Sequence, residues 1–178
     1  VQGVGHVGYY LCQYLAEAGA QLTVTDIDAK AMEQMADKWG ANTVHPDSIY
    51  EAKVDVFAPC AMGAVINDET LPRLQANIVA GSANNQLSQA HHGESLAAQK
   101  ILYAPDYVIN AGGIINISHE RPVYDEVKAY AHTAQIHDTL MDLFRKANAA
   151  QMAPEKMADK MAEARIFNAR QQQNSVAA

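Results

Sequence analysis

The sequence contains little cysteine, little basic charge and no long apolar run, and each shortage excludes a class of protein. Its two cysteines, Cys12 and Cys60, form no CxxC pair, so neither a disulfide framework nor a cysteine zinc site is predicted. Thirteen Lys and Arg face twenty Asp and Glu, and the net charge of -7 is unfavourable for binding nucleic-acid phosphates. No stretch reaches the roughly 20 apolar residues that span a membrane. We therefore expect a cytoplasmic protein with reduced cysteines that binds neither nucleic acid nor membrane.

A complete G-x-G-x-x-G fingerprint stands almost at the first residue. It reads Gly3-Val4-Gly5-His6-Val7-Gly8. In a dinucleotide-binding loop the first glycine permits a tight turn, the second lets the backbone approach the pyrophosphate, and the third lets helix and strand pack closely. The helix that follows points its N-terminus at the phosphate charge. Glycine-rich turns are common, so the residues that follow must support this interpretation.

The segments after the fingerprint have the pattern that a dinucleotide site requires. Apolar residues at helical spacing run from Val7 to Ala18, and Gln21–Asp26 is a β-branched run typical of a buried parallel strand. Asp26 lies 23 positions after Gly3, near the roughly 20 expected for the residue that binds the adenosine ribose. The alternative is an ordinary turn in which the aspartate caps the next helix.

Asp28 and Asp26 are expected to have different tasks. Asp28 is the better cap, because it directly precedes the predicted helix Ala29–Trp39. Asp26 is thus left for the ribose, where a carboxylate repels the 2′-phosphate of NADP. No arginine lies nearby, and Lys30, the nearest base, falls on the following helix. The pattern predicts NAD as the cofactor.

Short apolar runs continue to alternate with helical segments. The predicted strands are 54–58, 77–80 and 101–104, and the predicted helices between them are 67–74 and 95–100. This alternation predicts an α/β fold of the Rossmann type, with a doubly wound and mostly parallel sheet. The pattern then changes to a long helix over Pro122–Asn148 and a final helix that begins at Pro154. We predict a dinucleotide-binding domain over 1–150, with 151–178 as a C-terminal helix and tail.

The first strand of that sheet is nearly missing from the sequence. Only Val1 and Gln2 precede Gly3, although a central strand must deliver the first glycine. We therefore expect the sequence to be a fragment whose first strand is truncated.

Histidine pairs suggest a metal, but their spacing does not favour one. His91 and His92 are adjacent and should point apart, and His132 and His137 are five residues apart, which does not place two imidazoles on one helix face. No cysteine or acidic cluster accompanies them in the sequence. We predict no metal site.

Three loops follow predicted strands, where α/β sheets bind their ligands. Cys60 has no adjacent base to make it a nucleophile, so we place it in the wall of the cofactor crevice. The loop 81–86 carries Asn84 and Asn85, whose amides suit nicotinamide, although an ordinary Asn-rich turn is an equal alternative. Asn110 is predicted to end a strand before Gly112-Gly113, aimed at a ligand.

Five segments together resemble the cofactor domain of the glutamate/leucine/phenylalanine/valine dehydrogenases, with the leucine branch as the nearest. They are Gly3–Gly8, Val24–Asp26, Phe57–Ala61, Gly81–Leu87 and Ala104–Gly113. The resemblance implies NAD-dependent oxidative deamination of a branched-chain amino acid to its 2-oxo acid and ammonium. It also implies two catalytic lysines and an aspartate on a separate N-terminal domain, absent here, and a homo-oligomer formed largely through that domain. No catalytic residue is then expected in this chain, and the final helix is expected to pack on the absent domain.

The resemblance assigns site residues as follows. The cofactor-binding set is Gly3, Gly5, His6, Val7, Gly8, Asp26, Cys60, Ala61, Ala83, Asn84, Asn85 and Asn110. Asn110, Thr133 and Ile136 are implied for the substrate, and a polar Thr133 departs from the aliphatic lining expected for leucine. Two alternatives stay open: a dehydrogenase for valine or phenylalanine, and a non-catalytic module that senses NAD.

Overall fold

The computed structural model describes residues 1–120 and 123–176, which form two compact units, Val1–Ala111 and Gly112–Ala178. The dinucleotide-binding domain over 1–150 stays a prediction.

The first unit alternates short strands with helices. Its elements are α1 (His6–Glu17), β1 (Thr23–Val24), α2 (Ala29–Trp39), β2 (Asn42–Thr43), a 3-10 turn (Pro46–Glu51), β3 (Val54–Phe57), a second 3-10 turn (Leu71–Arg73), β4 (Ala76–Val79), α3 (His91–Ala98), β5 (Leu102–Tyr103) and α4 (Asp106–Ile109). α2 has its predicted bounds because Asp28 accepts a hydrogen bond from the Lys30 N–H and Gly40 ends the helix in a left-handed conformation.

Every strand pair in this unit is parallel. β1 pairs with β2, and β3, β4 and β5 pair in that order. Gln2 lies between the two groups and forms parallel bridges to Thr25 and Pro59. The Gly3 N–H donates to the Thr25 carbonyl at 2.8 Å, and the Cys60 N–H donates to the Gln2 carbonyl at 2.7 Å. The order is therefore β2, β1, Gln2, β3, β4, β5, so the winding reverses at Gln2.

Two hydrophobic clusters fill the space between sheet and helices. One joins α1, α2 and β1 through Val4, Cys12, Leu22, Val24, Met35 and Ala41. The other includes Phe57, Ile66, Val79, Leu96 and Tyr103. The predicted fold class, a doubly wound and mostly parallel α/β sheet followed by C-terminal helices, is confirmed.

The regular secondary structure described in the second unit is all helical. It contains α5 (Gly112–Ser118), α6 (Glu126–Ala149) and α7 (Pro154–Val176). α6 begins later than predicted, because Asp125 caps it by accepting the Lys128 N–H; the predicted start, Pro122, lies outside the described residues. α7 begins at Pro154, as predicted.

The buried face of α6 does not include all of the large apolar residues of this helix. Val127 is 79% exposed and Tyr130 is 74% exposed, whereas Ala129, Leu143 and Ala147 are buried. The alanines permit close approach of neighbouring helices. Although α6 and α7 are long, no helix in the described part of the chain is both long and apolar enough to cross a membrane.

Two helices of the first unit differ from their prediction. The predicted helix over 67–74 is a turn followed by a single 3-10 turn, because the side-chain oxygen of Asn67 binds the N–H groups of Glu69 and Thr70. Such local bonds compete with helix formation. α3 begins at His91 rather than at Ser95.

Candidate cofactor site

The glycine loop, residues 3–8, shows a separate structural reason for each of its glycines. Gly3 has a φ of 92°, and a Cβ there would lie 2.6 Å from that of Ala61. A Cβ on Gly8 would overlap the carbonyl oxygen of Gly3. Around Gly5, by contrast, no atom lies within 4 Å of a Cβ position. The first and third glycines are therefore required by packing, and the second leaves open space.

The N-terminus of α1 follows the glycine loop with no side chain closing it. Gly5 is the cap residue, no side-chain cap bond forms, and the first turn carries no acidic residue. The first N–H groups of a helix have no partner within the helix, and together with the helix dipole they attract anions. His6 lies exposed at this end and packs edge-on against Tyr10, while Val7 is 54% exposed. This end of α1 can accept a phosphate.

Asp26 stands at the end of β1, beside the glycine loop. One carboxylate oxygen accepts the Val4 N–H at 2.7 Å, and the other accepts the Asp28 N–H at 3.0 Å. The carboxylate is partly exposed, and each oxygen retains a second lone pair for a ligand hydroxyl. Asp26 thus also fixes the glycine loop, a task that the sequence did not reveal, because the contact joins residues 22 positions apart.

Pro59, Cys60 and Ala61 form the opposite side of the glycine loop. Cys60 is partly buried, and its Cβ lies 3.6 Å from the Cβ position of Gly8. Cys12 is wholly buried on α1, and burial raises the pKa of its thiol. Both cysteines are free, as predicted.

The amide loop, residues 81–86, follows β4 at the same edge of the sheet. Ala83 is buried, whereas Asn84 and Asn85 are exposed. Asn85 has a φ of 52°, a left-handed conformation that asparagine tolerates. A Cβ on Gly81 would overlap the Pro59 carbonyl, so this loop packs closely on the chain that leaves β3.

Asn110 does not end a strand, contrary to the prediction. Residues 106–109 form the helical turn α4, and Asn110 is the residue that ends it. The apolar run at 107–109 predicts a strand because a single helical turn is too short to display helical periodicity. The Asn110 side-chain N–H donates to the Asn84 side-chain oxygen at 2.8 Å, so two predicted site residues do meet. Ile114–Ile117, another apolar run, lies in α5.

The two residues implied for the substrate pocket lie on α6 in the second unit. Thr133 and Ile136 are both partly buried. The Thr133 hydroxyl donates to the Ala129 carbonyl at 2.9 Å, and its methyl group lies 3.7 Å from the Cβ position of Gly112. Because the hydroxyl is bonded within its own helix, the methyl group is the part left to contact neighbours.

The expectation that His91 and His92 point apart from each other, without an acidic partner, was wrong. Their ring centres lie 4.2 Å apart, and both face Asp68, with nitrogen–oxygen distances of 3.7 Å and 3.1 Å. The fold supplies Asp68 from a distant loop, which sequence spacing cannot reveal. The side-chain hydrogen bonds to His92 and His91, the His92 bond first, lower the pKa of Asp68.

Asp68, His91 and His92 each offer one ligand atom within 4.8 Å of one another, a spacing that could hold a metal ion, but both ring nitrogens of His92 are already hydrogen-bonded. Nδ1 of the buried His92 accepts the Gln89 N–H at 3.0 Å. In a neutral ring Nε2 therefore carries the proton and donates it to Asp68. A metal needs a lone pair at that nitrogen. That no metal binds stays a prediction. His132 bonds His119 at 3.1 Å, and His137 bonds Asp138 at 3.0 Å.

Two residues of this region, Gln86 and Asp106, are polar and buried, which their sequence context does not predict. Gln86 is wholly buried, and Asp106 is 8% exposed. Gln86 follows two exposed asparagines, and nothing in the sequence distinguishes a buried amide from an exposed one.

The strand order, the glycine loop at its reversal point and the helix behind it define a class, the doubly wound α/β proteins of the Rossmann type. The chain belongs to the Glutamate/Leucine/Phenylalanine/Valine dehydrogenase family, whose sequence model matches residues 24–177. The predicted resemblance to this family is confirmed.

Individual relatives agree with the family assignment. Leucine dehydrogenase from Thermoactinomyces intermedius is 49% identical over 166 residues, which are 93% of this chain and 45% of that protein. L-tryptophan dehydrogenase from Nostoc punctiforme is 45% identical over 179 residues, covering 100% of this chain and 51% of its own length. A crystal structure of the Nostoc punctiforme L-tryptophan dehydrogenase matches 94% of this chain with a TM-score of 0.91 at 46% identity. The chain thus spans about half the length of these relatives.

Proposed function

We propose that this chain is the cofactor-binding part of an NAD-dependent amino acid dehydrogenase. The observation that carries the proposal is the glycine loop at the reversal point of the sheet, with open space at Gly5 and the Asp26 carboxylate beside it. When bound, NAD accepts a hydride from the substrate's α-carbon. The residues of this chain bind and orient that cofactor.

The pyrophosphate is assigned to the glycine loop and the end of α1. Gly3 and Gly8 shape the loop, Gly5 leaves room for the phosphates, and the amides of His6 and Val7 begin the helix. This end of α1 holds no acidic side chain that would compete with an anion. Cys60 and Ala61 bound the adenosine half from the opposite side, with backbone rather than sulfur toward the nucleotide.

Asp26 favours NAD over NADP in this proposal. Its carboxylate already accepts two backbone N–H groups and keeps lone pairs for the two adenosine ribose hydroxyls. A 2′-phosphate would place negative charge against that carboxylate. The nearest base in sequence, Lys30, belongs to α2 rather than to the loop.

The side-chain amides of the amide loop and of Asn110 are assigned to the nicotinamide end of the cofactor. Ala83, Asn84 and Asn85 belong to the amide loop, and Asn110 is bonded to it. Side-chain amides offer both donors and acceptors, as a carboxamide ligand and a substrate carboxylate require. Asn110 is also assigned to the substrate.

The proposed substrate is a branched-chain, leucine-like L-amino acid, with Thr133 and Ile136 lining its side chain. The methyl group of Thr133 gives an apolar contact, because its hydroxyl is bonded to Ala129. Relatives of similar identity are named for leucine and for L-tryptophan, so an aromatic substrate is the competing candidate. Valine and phenylalanine complete the panel to be tested.

The test is steady-state kinetics on the complete protein with NAD or NADP and a panel of leucine, valine, phenylalanine and tryptophan. We expect NAD-dependent oxidation, fastest with leucine, yielding one ammonium per NADH. Oxidation of tryptophan at a higher kcat/KM would contradict the proposed substrate alone. Binding of NAD with no turnover of any amino acid would favour a module that senses NAD.

The proposal places the catalytic lysines and aspartate in another part of the complete protein, which is cytoplasmic and forms a homo-oligomer. The 178-residue chain by itself should therefore turn over no amino acid. The control is to mix the chain with the separately purified remainder of the polypeptide and to measure amino acid oxidation by the mixture. Turnover by the purified chain alone would mean that the catalytic groups lie within it.

A further inference from the structure

Gln86 is a buried polar side chain at the end of the amide loop. Its Nε2 donates to the Gly81 carbonyl at 2.8 Å and to the Ala83 carbonyl at 3.0 Å. These bonds tie the start and the middle of the loop to its end. Its Oε1 is buried without a hydrogen-bond partner among the described residues, a cost that an apolar side chain of equal size would avoid. The glutamine therefore serves to hold the backbone of the loop.

Asp106 holds the same residue from the other side. One oxygen of its buried carboxylate accepts the Gln86 backbone N–H at 3.2 Å, and the other accepts the Tyr103 hydroxyl at 3.3 Å. Burial first, and then the charge of Asp106, raise the pKa of Tyr103, so that hydroxyl stays a donor. The carboxylate is thus fixed between β5 and the amide loop.

Two separate links join α4 to the amide loop. Asp106 begins α4 and binds Gln86, while Asn110 ends α4 and binds Asn84 at 2.8 Å. The Asn110 N–H also donates to the Asp106 carbonyl at 2.9 Å within α4. A single link would allow rotation, whereas two links set both the distance and the orientation of the two segments.

The amide loop is also confined on its other face. The Ala64 N–H donates to the Asn85 carbonyl at 2.6 Å. A Cβ on Gly63 would lie 2.6 Å from the Asn84 carbonyl oxygen. The left-handed conformation of Asn85 is one that asparagine tolerates, and the bond from Ala64 helps to hold it. Asn84 and Asn85 are thus exposed side chains on a rigid backbone.

We infer that Gln86 and Asp106 are positioning residues that hold the amide loop against α4, so that Asn84 and Asn110 present their amides to the nicotinamide end of the cofactor. This inference rests on the proposed function. Neither residue touches the cofactor in this arrangement. Hydride transfer depends steeply on alignment, so a small displacement of this end lowers turnover.

The experiment compares two ligands on the complete protein by calorimetry: NAD, and ADP-ribose, which lacks nicotinamide. Gln86→Met preserves the volume of the side chain but removes both donors. We expect affinity for NAD to fall about tenfold, with affinity for ADP-ribose unchanged and faster hydrogen exchange in residues 81–86 without ligand. In the same variant kcat should fall more than KM for the amino acid rises.

Two further comparisons separate positioning from stability and from chemistry. Leu96→Ala opens a cavity in the core of the same unit and should weaken both ligands equally or neither. Asp106→Asn keeps an oxygen that can accept the Gln86 N–H, and its amide group can donate to the Tyr103 hydroxyl, so this variant should retain most turnover. Asp106→Leu removes both bonds and should lower turnover as Gln86→Met does.

The inference is overturned if Gln86→Met lowers the affinity for NAD and for ADP-ribose equally, or leaves both affinities unchanged. It is also overturned if Leu96→Ala lowers the affinity for NAD alone, as Gln86→Met is expected to do. It is also overturned if Asp106→Asn loses turnover as fully as Asp106→Leu, since the carboxylate would then take part in chemistry. An unaltered protein that binds neither ligand would contradict the proposed function and this inference together. An unaltered protein that binds NAD and ADP-ribose yet oxidises no amino acid would contradict the proposed activity alone. The binding and hydrogen-exchange comparisons would then still test the roles of Gln86 and Asp106.

Discussion

The glycine loop and the amide loop lie at the same edge of one parallel sheet, but different interactions hold them. The glycine loop depends on missing side chains, since a Cβ on Gly3 or Gly8 would overlap neighbouring backbone. The amide loop depends on side chains that are present, above all Gln86 and Asp106. A loop of the first kind is recognisable from its composition, whereas a loop of the second kind acquires its shape from partners far away in the sequence.

The largest expected effect is the loss of stability caused by adding a methyl group at Gly8 of the glycine loop. Gly8→Ala should destabilise the protein by more than about 3 kcal/mol, because its Cβ would overlap the Gly3 carbonyl and backbone would have to move. Thermal unfolding measures this. Gly5→Ala is the matched control: it should leave stability unchanged and weaken NAD binding, since only open space surrounds Gly5. Equal loss of stability in both variants would contradict the distinction between Gly8, which packing requires, and Gly5, which leaves room for a ligand.

The second effect tests the amide loop. Asn110→Ala should lower kcat/KM about ten- to a hundredfold, because it removes one aligned hydrogen-bonding group from the nicotinamide end. NAD affinity, measured separately, should change less, since the glycine loop and Asp26 remain. Tyr107→Phe, on the exposed face of the same turn, is the control and should retain turnover. Normal turnover in Asn110→Ala would mean that Asn110 only ends α4 and has no role in binding the cofactor or the substrate.

Asp26 gives a third and smaller effect, on cofactor choice. The unaltered protein should bind NAD far more tightly than NADP, and Asp26→Ser should narrow that gap by about tenfold as the charge is lost. Asp26→Asn should narrow it similarly while keeping more affinity for NAD, because an amide oxygen can still accept the Val4 N–H. Titrations of both cofactors at one salt concentration measure this. Equal affinity for NAD and NADP in the unaltered protein would refute the assignment.

The smallest effect should come from Asp28, two residues further on. Asp28→Ala removes the cap of α2 and should cost about 1 kcal/mol of unfolding free energy. NAD affinity should not change, because the carboxylate of Asp28 bonds its own helix. A shift in the preference for NAD over NADP would mean that the two aspartates had been assigned the wrong roles.

Local pattern was sufficient where the cause of a structure is local. The bounds of α2 follow from Asp28 and Gly40, and the start of α7 follows from Pro154. Pattern failed where a competing local bond or a short element intervened. Asn67 forms a turn where the pattern predicts a helix, and the residues before Asn110 form a single helical turn where the pattern predicts a strand.

The sequence by itself determined the alternation of strand and helix, the parallel sheet, the three glycines and the aspartate that follows them. These depend on periodicity, on the Cβ that glycine lacks and on spacing along one chain. Only the tertiary structure decided that Asp26 binds the Val4 amide, that Asp68 faces two histidines, and that Gln86 and Asp106 link the amide loop to α4. Each of these contacts joins residues about 20 positions apart or more, and the sheet order that brings them together is a property of the folded chain.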